Sequence, residues 1–328
     1  MIATAGWTAA AMPSLLGTRV VVTGAGSGIG LEATRAFAAH QAHVILAVRD
    51  ESKGRAAAAT IDGSTEVRRL DLADLASVRE FAAGLDGDID ILVNNAGILV
   101  PPFGHTKDGF ELQFGTNHLG HFALTNLLLP RITGRVVTVA SNAHRSGHID
   151  FDDLNWNTRD YRGGSAAYAQ SKLANLLFTL ELQRRLEASG SRVIATAAHP
   201  GMAATNLGSS SENKVLNVAA GLAVRWFAQD AVSGAAPILY AATELLPGAS
   251  YVGPAGRHGL GGPPILVGRS RAAAILGRPC PSTRSTCCWP PSSSSAPSWD
   301  GRAASSFRHS ICSRSRPASQ RLSSATAR

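Results

Sequence analysis

The stretch Arg19-Val20-Val21-Val22-Thr23-Gly24-Ala25-Gly26-Ser27-Gly28-Ile29-Gly30 opens on an apolar, β-branched run, turns through a cluster of glycines and continues into an amphipathic segment. β-Branched residues favour an extended strand, and glycine lets the backbone turn tightly and approach a ligand closely. A helix starting there aims its unpaired N–H groups at the turn, where a pyrophosphate is stabilised. Tight strand-to-helix turns also use glycine without a ligand. The placement between a strand and a helix near the N-terminus is what makes Thr23, Gly24, Ser27, Gly28, Ile29 and Gly30 a candidate dinucleotide cradle.

Outward from this stretch, short apolar runs at 43–47, 66–70, 89–93, 135–139 and 192–198 repeat the strand signal of 19–23, with helical-period segments between them. Continuous apolar strands alternating with amphipathic helices are what a parallel sheet covered on both faces requires. Right-handed crossovers then give an α/β fold with a single doubly wound, Rossmann-type sheet. The longest helix is expected over 165–188, where Leu173, Leu176, Leu177 and Leu180 form one stripe. A second, over 108–129, stops at Pro130.

The net charge of +8 invites a nucleic-acid reading until its location is counted. From Arg269 to Arg328 there are ten Arg, no Lys and the single acid Asp300, so residues 1–268 hold 21 basic and 22 acidic side chains. All four cysteines, Cys280, Cys287, Cys288 and Cys312, also lie in that tail. The body thus has neither a disulfide framework nor thiolate ligands, which fits a reducing, cytoplasmic setting. No 18-residue apolar span and no signal-type leader occurs, so neither export nor a transmembrane anchor is expected.

Tyr168 and Lys172 stand four residues apart in the long helix, one above the other on one face. A cation about 4 Å from a phenol at an effective dielectric near 20 is worth roughly 4 kcal/mol, enough to bring a tyrosine from about 10 to about 7. Proton transfer is efficient there. Ser141 follows the fifth strand at its carboxyl end, where ligands bind in open α/β sheets. After the second strand the chain reads Ala47-Val48-Arg49-Asp50, a cation where an NAD enzyme offers an acid. Arg49, with Lys53 helping, suits a 2′-phosphate and hence NADP(H) over NAD(H); the other reading is a solvated Arg49 paired with Asp50 or Glu51.

Together, Thr23 to Gly30, Asn94-Asn95-Ala96-Gly97, Ser141, Tyr168-x-x-x-Lys172 and His199-Pro200-Gly201 resemble the short-chain dehydrogenase/reductase pattern over roughly residues 15–267. The stretches 108–122 and 170–178, and the 27-residue spacing from Ser141 to Tyr168, are similar to the retinol-dehydrogenase-like branch. The resemblance implies an NADP(H)-dependent oxidoreductase acting on a carbonyl or alcohol, with Tyr168 as general acid/base. Lys172 would bind the nicotinamide ribose and depress the tyrosine pKa, Ser141 position the carbonyl, and Asn117 hold a relay water; Asn117 read as a helix residue alone merely caps a kink. Asp71 would touch the adenine, Asn95 the adenosine ribose region and Thr205 the carboxamide, with Leu72, Ala96, Gly97, Pro200 and Gly201 also against the cofactor. The histidines 118, 121, 144, 148 and 199 lack a carboxylate or thiol at ligand spacing, and no metal is expected.

Residues 1–14 read as an extension and 15–267 as the domain, with 208–227 as a lid over the site or an ordinary surface helical pair. From 268 the text is aperiodic Ser, Arg, Pro and Cys. It reads either as out-of-frame translation from about Ala272 or as a genuine basic tail. A small carbonyl or alcohol substrate, probed as a hydrophobic one, is the expected partner; no specific nucleic acid is, and a homo-oligomer is left open. The rival class is a catalytically idle nucleotide-sensing or interaction protein on the same fold, against which Tyr168, Lys172 and Ser141 speak.

Overall fold

The computed structural model describes residues 6–201, 231–270 and 272–273. The expected strands form as β1 (Arg19–Thr23), β2 (His43–Val48), β3 (Thr65–Arg69), β4 (Ile89–Asn94), β5 (Ile132–Val139) and β6 (Ile194–Ala198). Two more, β7 (Tyr251–Pro254) and β8 (Pro264–Leu266), extend the sheet beyond the six expected. The order is β3-β2-β1-β4-β5-β6-β7-β8, parallel throughout except for the antiparallel β8. The order reverses between β1 and β4, which opens a crevice at the carboxyl edge.

Helices α1 (Gly28–Ala39), α2 (Glu51–Ala58) and α3 (Leu75–Gly84) cross between the first four strands. One core layer joins Val20, Val22, Phe37, Leu46 and Ile238 under α1 and α7 (Ala231–Thr243). The other joins Val21, Ile45, Phe81, Leu92, Leu124 and Leu182 under the helices of the opposite face. Alternate residues of β1 feed opposite layers, as a period of two demands, and each such buried aliphatic side chain contributes about 1.5–3 kcal/mol. Arg135 of β5 is buried, and its Nη1 donates to the Ala241 and Glu244 carbonyls at 2.8 and 2.7 Å, capping the end of α7.

The long helix, α6 (Ser165–Ala188), has the expected bounds, whereas the helix expected over 108–129 differs. His105 and Glu111 form an isolated bridge around Gly109 (φ 82°), so 108–111 is a turn. Buried Glu111 then caps α4 (Leu112–Phe114), accepting from Gln113 N at 2.9 Å and Phe114 N at 2.6 Å. A π-turn, Gly115–Leu119, separates α4 from α5 (Gly120–Leu128).

The long connection from Ser141 to Tyr168 is anchored on that cap. Tyr161 Oη donates to Glu111 Oε1 at 2.8 Å, while Gln113 Nε2 donates to Tyr161 Oη at 2.7 Å and to the Gly164 carbonyl at 2.8 Å. Asp153 gathers the Asn157 and Thr158 N–H groups, and Arg159 lies 3.8 Å over the Trp156 ring. Contacts continue past residue 267: Arg145 Nη2 donates to the Gly268 carbonyl, Ser270 N to His144 Nε2 at 3.1 Å, and Ala273 is buried. All described residues except Asp150–Asp152 fall in one compact unit.

Candidate active site

Because β1 to β6 run parallel, the residues following each strand share one edge: the glycine turn after β1, Arg49 after β2, Asp71 and Leu72 after β3, Asn95 to Gly97 after β4, Ser141 after β5, and Pro200 and Gly201 after β6. Thr205 and the expected lid at 208–227 lie outside the described residues.

The glycine turn is shaped by close approach. Gly24 has φ +67°, and a Cβ there would stand 2.9 Å from Ala96 Cα, so only glycine lets β1 and the β4 end meet. Asn95 seals the contact, its Nδ2 donating to the Thr23 carbonyl at 2.8 Å. Ser27 precedes α1 without making a side-chain cap, and Ile29 is buried. The α1 N-terminus therefore keeps its N–H donors for an anion, and the turn fits a dinucleotide pyrophosphate.

Arg49 and Lys53 are both exposed. Asp50 caps α2 through Lys53 N at 3.1 Å and lies 3.9 Å from Lys53 Nζ, and Glu51 pairs with Arg55 at 3.9 Å. Among the described residues no ion pair to Arg49 occurs, so both neighbouring acids serve α2 rather than Arg49. Asp71 is half-buried with Oδ1 accepting from Ala73 N at 3.0 Å, and Leu72 is buried beside it.

Ser141, Tyr168, Lys172 and Asn117 come together. Ser141 faces Tyr168 closely enough to favour its ionised hydroxyl, and Ser141 Oγ accepts from Ala143 N at 3.2 Å. Lys172 is buried, and its Nζ donates to the Val139 carbonyl at 3.1 Å while lying 5.6 Å from the Tyr168 ring centroid. Burial pushes the Tyr168 hydroxyl up, partly offset by Ser141, and pushes Lys172 down to about 8. The acidic phenol expected from the Tyr168–Lys172 spacing is thus not what this state holds. The ammonium is turned to a carbonyl at the end of β5, and desolvation penalises both charged forms.

Asn117 sits inside the π-turn, a form of helix that recurs at functional sites. Its Oδ1 accepts from Ile98 N at 2.8 Å, and its Nδ2 donates to the Ile98 carbonyl at 3.0 Å and Ser171 Oγ at 3.1 Å. Gly97 leaves room beside it, since a Cβ there would lie 3.4 Å from Asn117 Oδ1 and 3.5 Å from Lys172 Nζ. One residue escaped the sequence reading: Asn175, whose Nδ2 donates to the Asn117 carbonyl at 3.1 Å and to the Val139 carbonyl at 3.2 Å. Its position seven residues after Tyr168 and three after Lys172 was the available signal, for it shares their helix face.

A family model described as short chain dehydrogenase matches residues 18–152. Human retinol dehydrogenase 13 is 52% identical over 204 residues, covering 58% of this chain and 61% of its own length. Human retinol dehydrogenase 14 is 40% identical over 259 residues, covering 71% of this chain and 76% of its own length. The chain thus spans about three fifths of the first of these relatives (61%). A crystal structure of an uncharacterized protein from Mycobacterium Paratuberculosis superposes with TM-score 0.71 at 55% identity, covering 82% of this chain and 91% of that one.

Proposed function

The chain belongs to the short-chain dehydrogenase/reductase family, in its retinol-dehydrogenase-like branch, and from that premise we propose that it is an NADP(H)-dependent oxidoreductase of hydrophobic carbonyls and alcohols. The observation that carries the reading is the gathering of Ser141, Tyr168 and buried Lys172 at the carboxyl edge of the sheet, with Lys172 Nζ 5.6 Å from the Tyr168 ring centroid.

The dinucleotide would lie against Thr23, Gly24, Ser27, Gly28, Ile29 and Gly30. Asp71 and Leu72 take the adenine side, Asn95, Ala96 and Gly97 the adjoining ribose, and Pro200, Gly201 and Thr205 the carboxamide side. Arg49, exposed and paired with neither Asp50 nor Glu51, meets the 2′-phosphate with exposed Lys53 helping, and favours NADP(H). When bound, the nicotinamide supplies or accepts the hydride at the substrate carbon. In reduction Tyr168 Oη gives its proton to the carbonyl oxygen, and Ser141 Oγ donates a hydrogen bond to the same oxygen. In oxidation the tyrosinate takes that proton back from the alcohol. Lys172 holds the ribose and, as an ammonium, stabilises the tyrosinate. Asn117, with Gly97 leaving space beside Lys172, holds the proton path to solvent.

The relatives' names and the exposed Phe103 on the loop leaving β4 point to a bulky apolar substrate such as retinal. No described helix is long and apolar enough to cross a membrane, and the absence of cysteine from residues 1–268 supports a reducing, cytoplasmic setting. The test is Tyr168→Phe in the purified full chain. NADPH-dependent reduction of retinal is expected to fall about a thousandfold while NADPH binding, read by cofactor fluorescence, persists. Retained turnover sinks the assignment of Tyr168.

A further inference from the structure

His121 has no part in that proton transfer, yet it is 1% exposed. Its Nδ1 lies 3.0 Å from the Asn117 carbonyl oxygen, which can only accept, so Nδ1 carries the hydrogen. Burial keeps the ring neutral by pushing its pKa down to about 3, helped by the neighbouring Lys172 and His118. Nε2 is therefore a bare acceptor, and the hydroxyl 2.8 Å away on Thr23 donates to it. Thr23 Oγ1 also lies 3.4 Å from the Val93 carbonyl, but its single hydrogen follows the shorter contact. Its lone pairs accept the N–H groups of Asn95 and Ala96, both at 2.9 Å.

The result is an unbroken buried path. Thr23, at the mouth of the glycine turn, donates to His121, and His121 donates to the Asn117 carbonyl, where Asn175 Nδ2 also lands at 3.1 Å. The same Asn175 nitrogen reaches the Val139 carbonyl, to which Lys172 Nζ donates. Asn175 is itself oriented by His118, 3.1 Å from its Oδ1. Three elements far apart in sequence, the end of β1, the π-turn and α6, thus share one set of donors and acceptors with each nitrogen of His121 assigned a separate end.

We propose that His121 is a positioning residue that sets the dinucleotide turn and the Lys172–Tyr168 pair relative to each other, its Nε2 holding Thr23 and its Nδ1–H holding the Asn117 carbonyl. The inference rests on the reading of Tyr168 and of the glycine turn given above. The His121 ring does not touch the reacting atoms; it decides where the groups that do so stand, and misplacement by about 1 Å costs up to about a hundredfold in rate.

The two ends are separable by substitution in the full chain. His121→Asn keeps an amide N–H near Nδ1 but cannot reach Thr23. His121→Gln reaches Thr23 with its terminal oxygen and gives up the Asn117 carbonyl, and His121→Phe gives up both. Fluorescence titration with NADPH and the pH profile of kcat for retinal reduction read the two ends separately. His121→Asn is expected to weaken NADPH about tenfold with an unchanged profile. His121→Gln is expected to leave NADPH affinity alone, lower kcat about tenfold and move the alkaline limb to higher pH, because a loosened Lys172, less tightly desolvated, keeps its ammonium to higher pH. His121→Phe combines both losses.

Equal losses in all three variants, or a lower melting temperature with NADPH affinity and pH profile unchanged, overturn the proposal. If retinal is not turned over, the NADPH titrations still decide, since they must separate Asn from Gln. A wild-type chain that fails to bind NADPH, or a Tyr168→Phe variant with full activity, sinks instead the reading on which the proposal rests.

Discussion

The glycine turn after β1 and the Ser141, Tyr168 and Lys172 cluster after β5 stand on the same edge of one sheet but are made of different material. The first is main chain: a left-handed Gly24 pressed on Ala96 and an α1 N-terminus with no side-chain cap. The second is side chain, with titratable groups held where burial penalises their charges. Backbone donors do not titrate, so the turn is expected to be indifferent to pH and intolerant of a Cβ. The cluster is expected to behave the other way round. On the proposed function, affinity for the cofactor is expected to follow the main chain of the turn and the rate of proton transfer the side chains of the cluster.

Removing the buried cation tests this most strongly. Lys172→Met is expected to lower kcat about a thousandfold in stopped assays of retinal reduction. In the wild type the ammonium is present below its pKa of about 8 and lost above it, so kcat/KM, which reports the free enzyme, is expected to fall as pH rises past about 8. A flat profile through pH 9 would break the link between Lys172 and the rate. Gly24→Ala forces a side chain into positive φ against Ala96, and isothermal titration is expected to show NADPH binding about a hundredfold weaker with the pH profile untouched.

Arg49→Ala acts beyond the turn, at the end of β2. It is expected to weaken NADPH about tenfold and leave NADH unchanged, and an equal loss for both would remove Arg49 from 2′-phosphate recognition. Smallest in its effect on catalysis is acid sensitivity. His118 and His199 are held near about 4 and His121 near about 3, all by burial. Their folded pKa values lie below the unfolded value of about 6.5, so the unfolded chain takes up protons first. The stability they contribute is complete above about pH 6.5 and lost as pH falls from there towards about 4. Each costs up to about 1.4 kcal/mol per pH unit, and calorimetry is expected to show the melting temperature dropping by several degrees between pH 7 and 5.5.

Legibility varied by element for physical reasons. β1 and α6 match their expected bounds because an apolar run and a 3.6-residue stripe are local signals. β7 and β8 were missed because Tyr251–Pro254 and Pro264–Leu266 are too short for any period and contain glycine or proline. Their strand character comes from partners on β6 and on each other. The expected start of the central helix at 108 failed because the turn around Gly109 and the Glu111 cap outcompete one more helical turn. Among the described residues Arg49 has no ion pair with Asp50 or Glu51, because α2 claims the first as cap and the second as i,i+4 partner of Arg55.

By itself the sequence determined the alternation of strands and helices, the family pattern and which residue types gather at the carboxyl edge, because periodicity and parallel crossovers are set by neighbours along the chain. Only the tertiary structure decided that Lys172 turns to the Val139 carbonyl, that Asn117 lies in a π-turn, and that His121 spans from Thr23 to Asn117. Those contacts join segments up to 98 residues apart, and a hydrogen bond depends on distance and angle in space, which spacing along a chain does not encode.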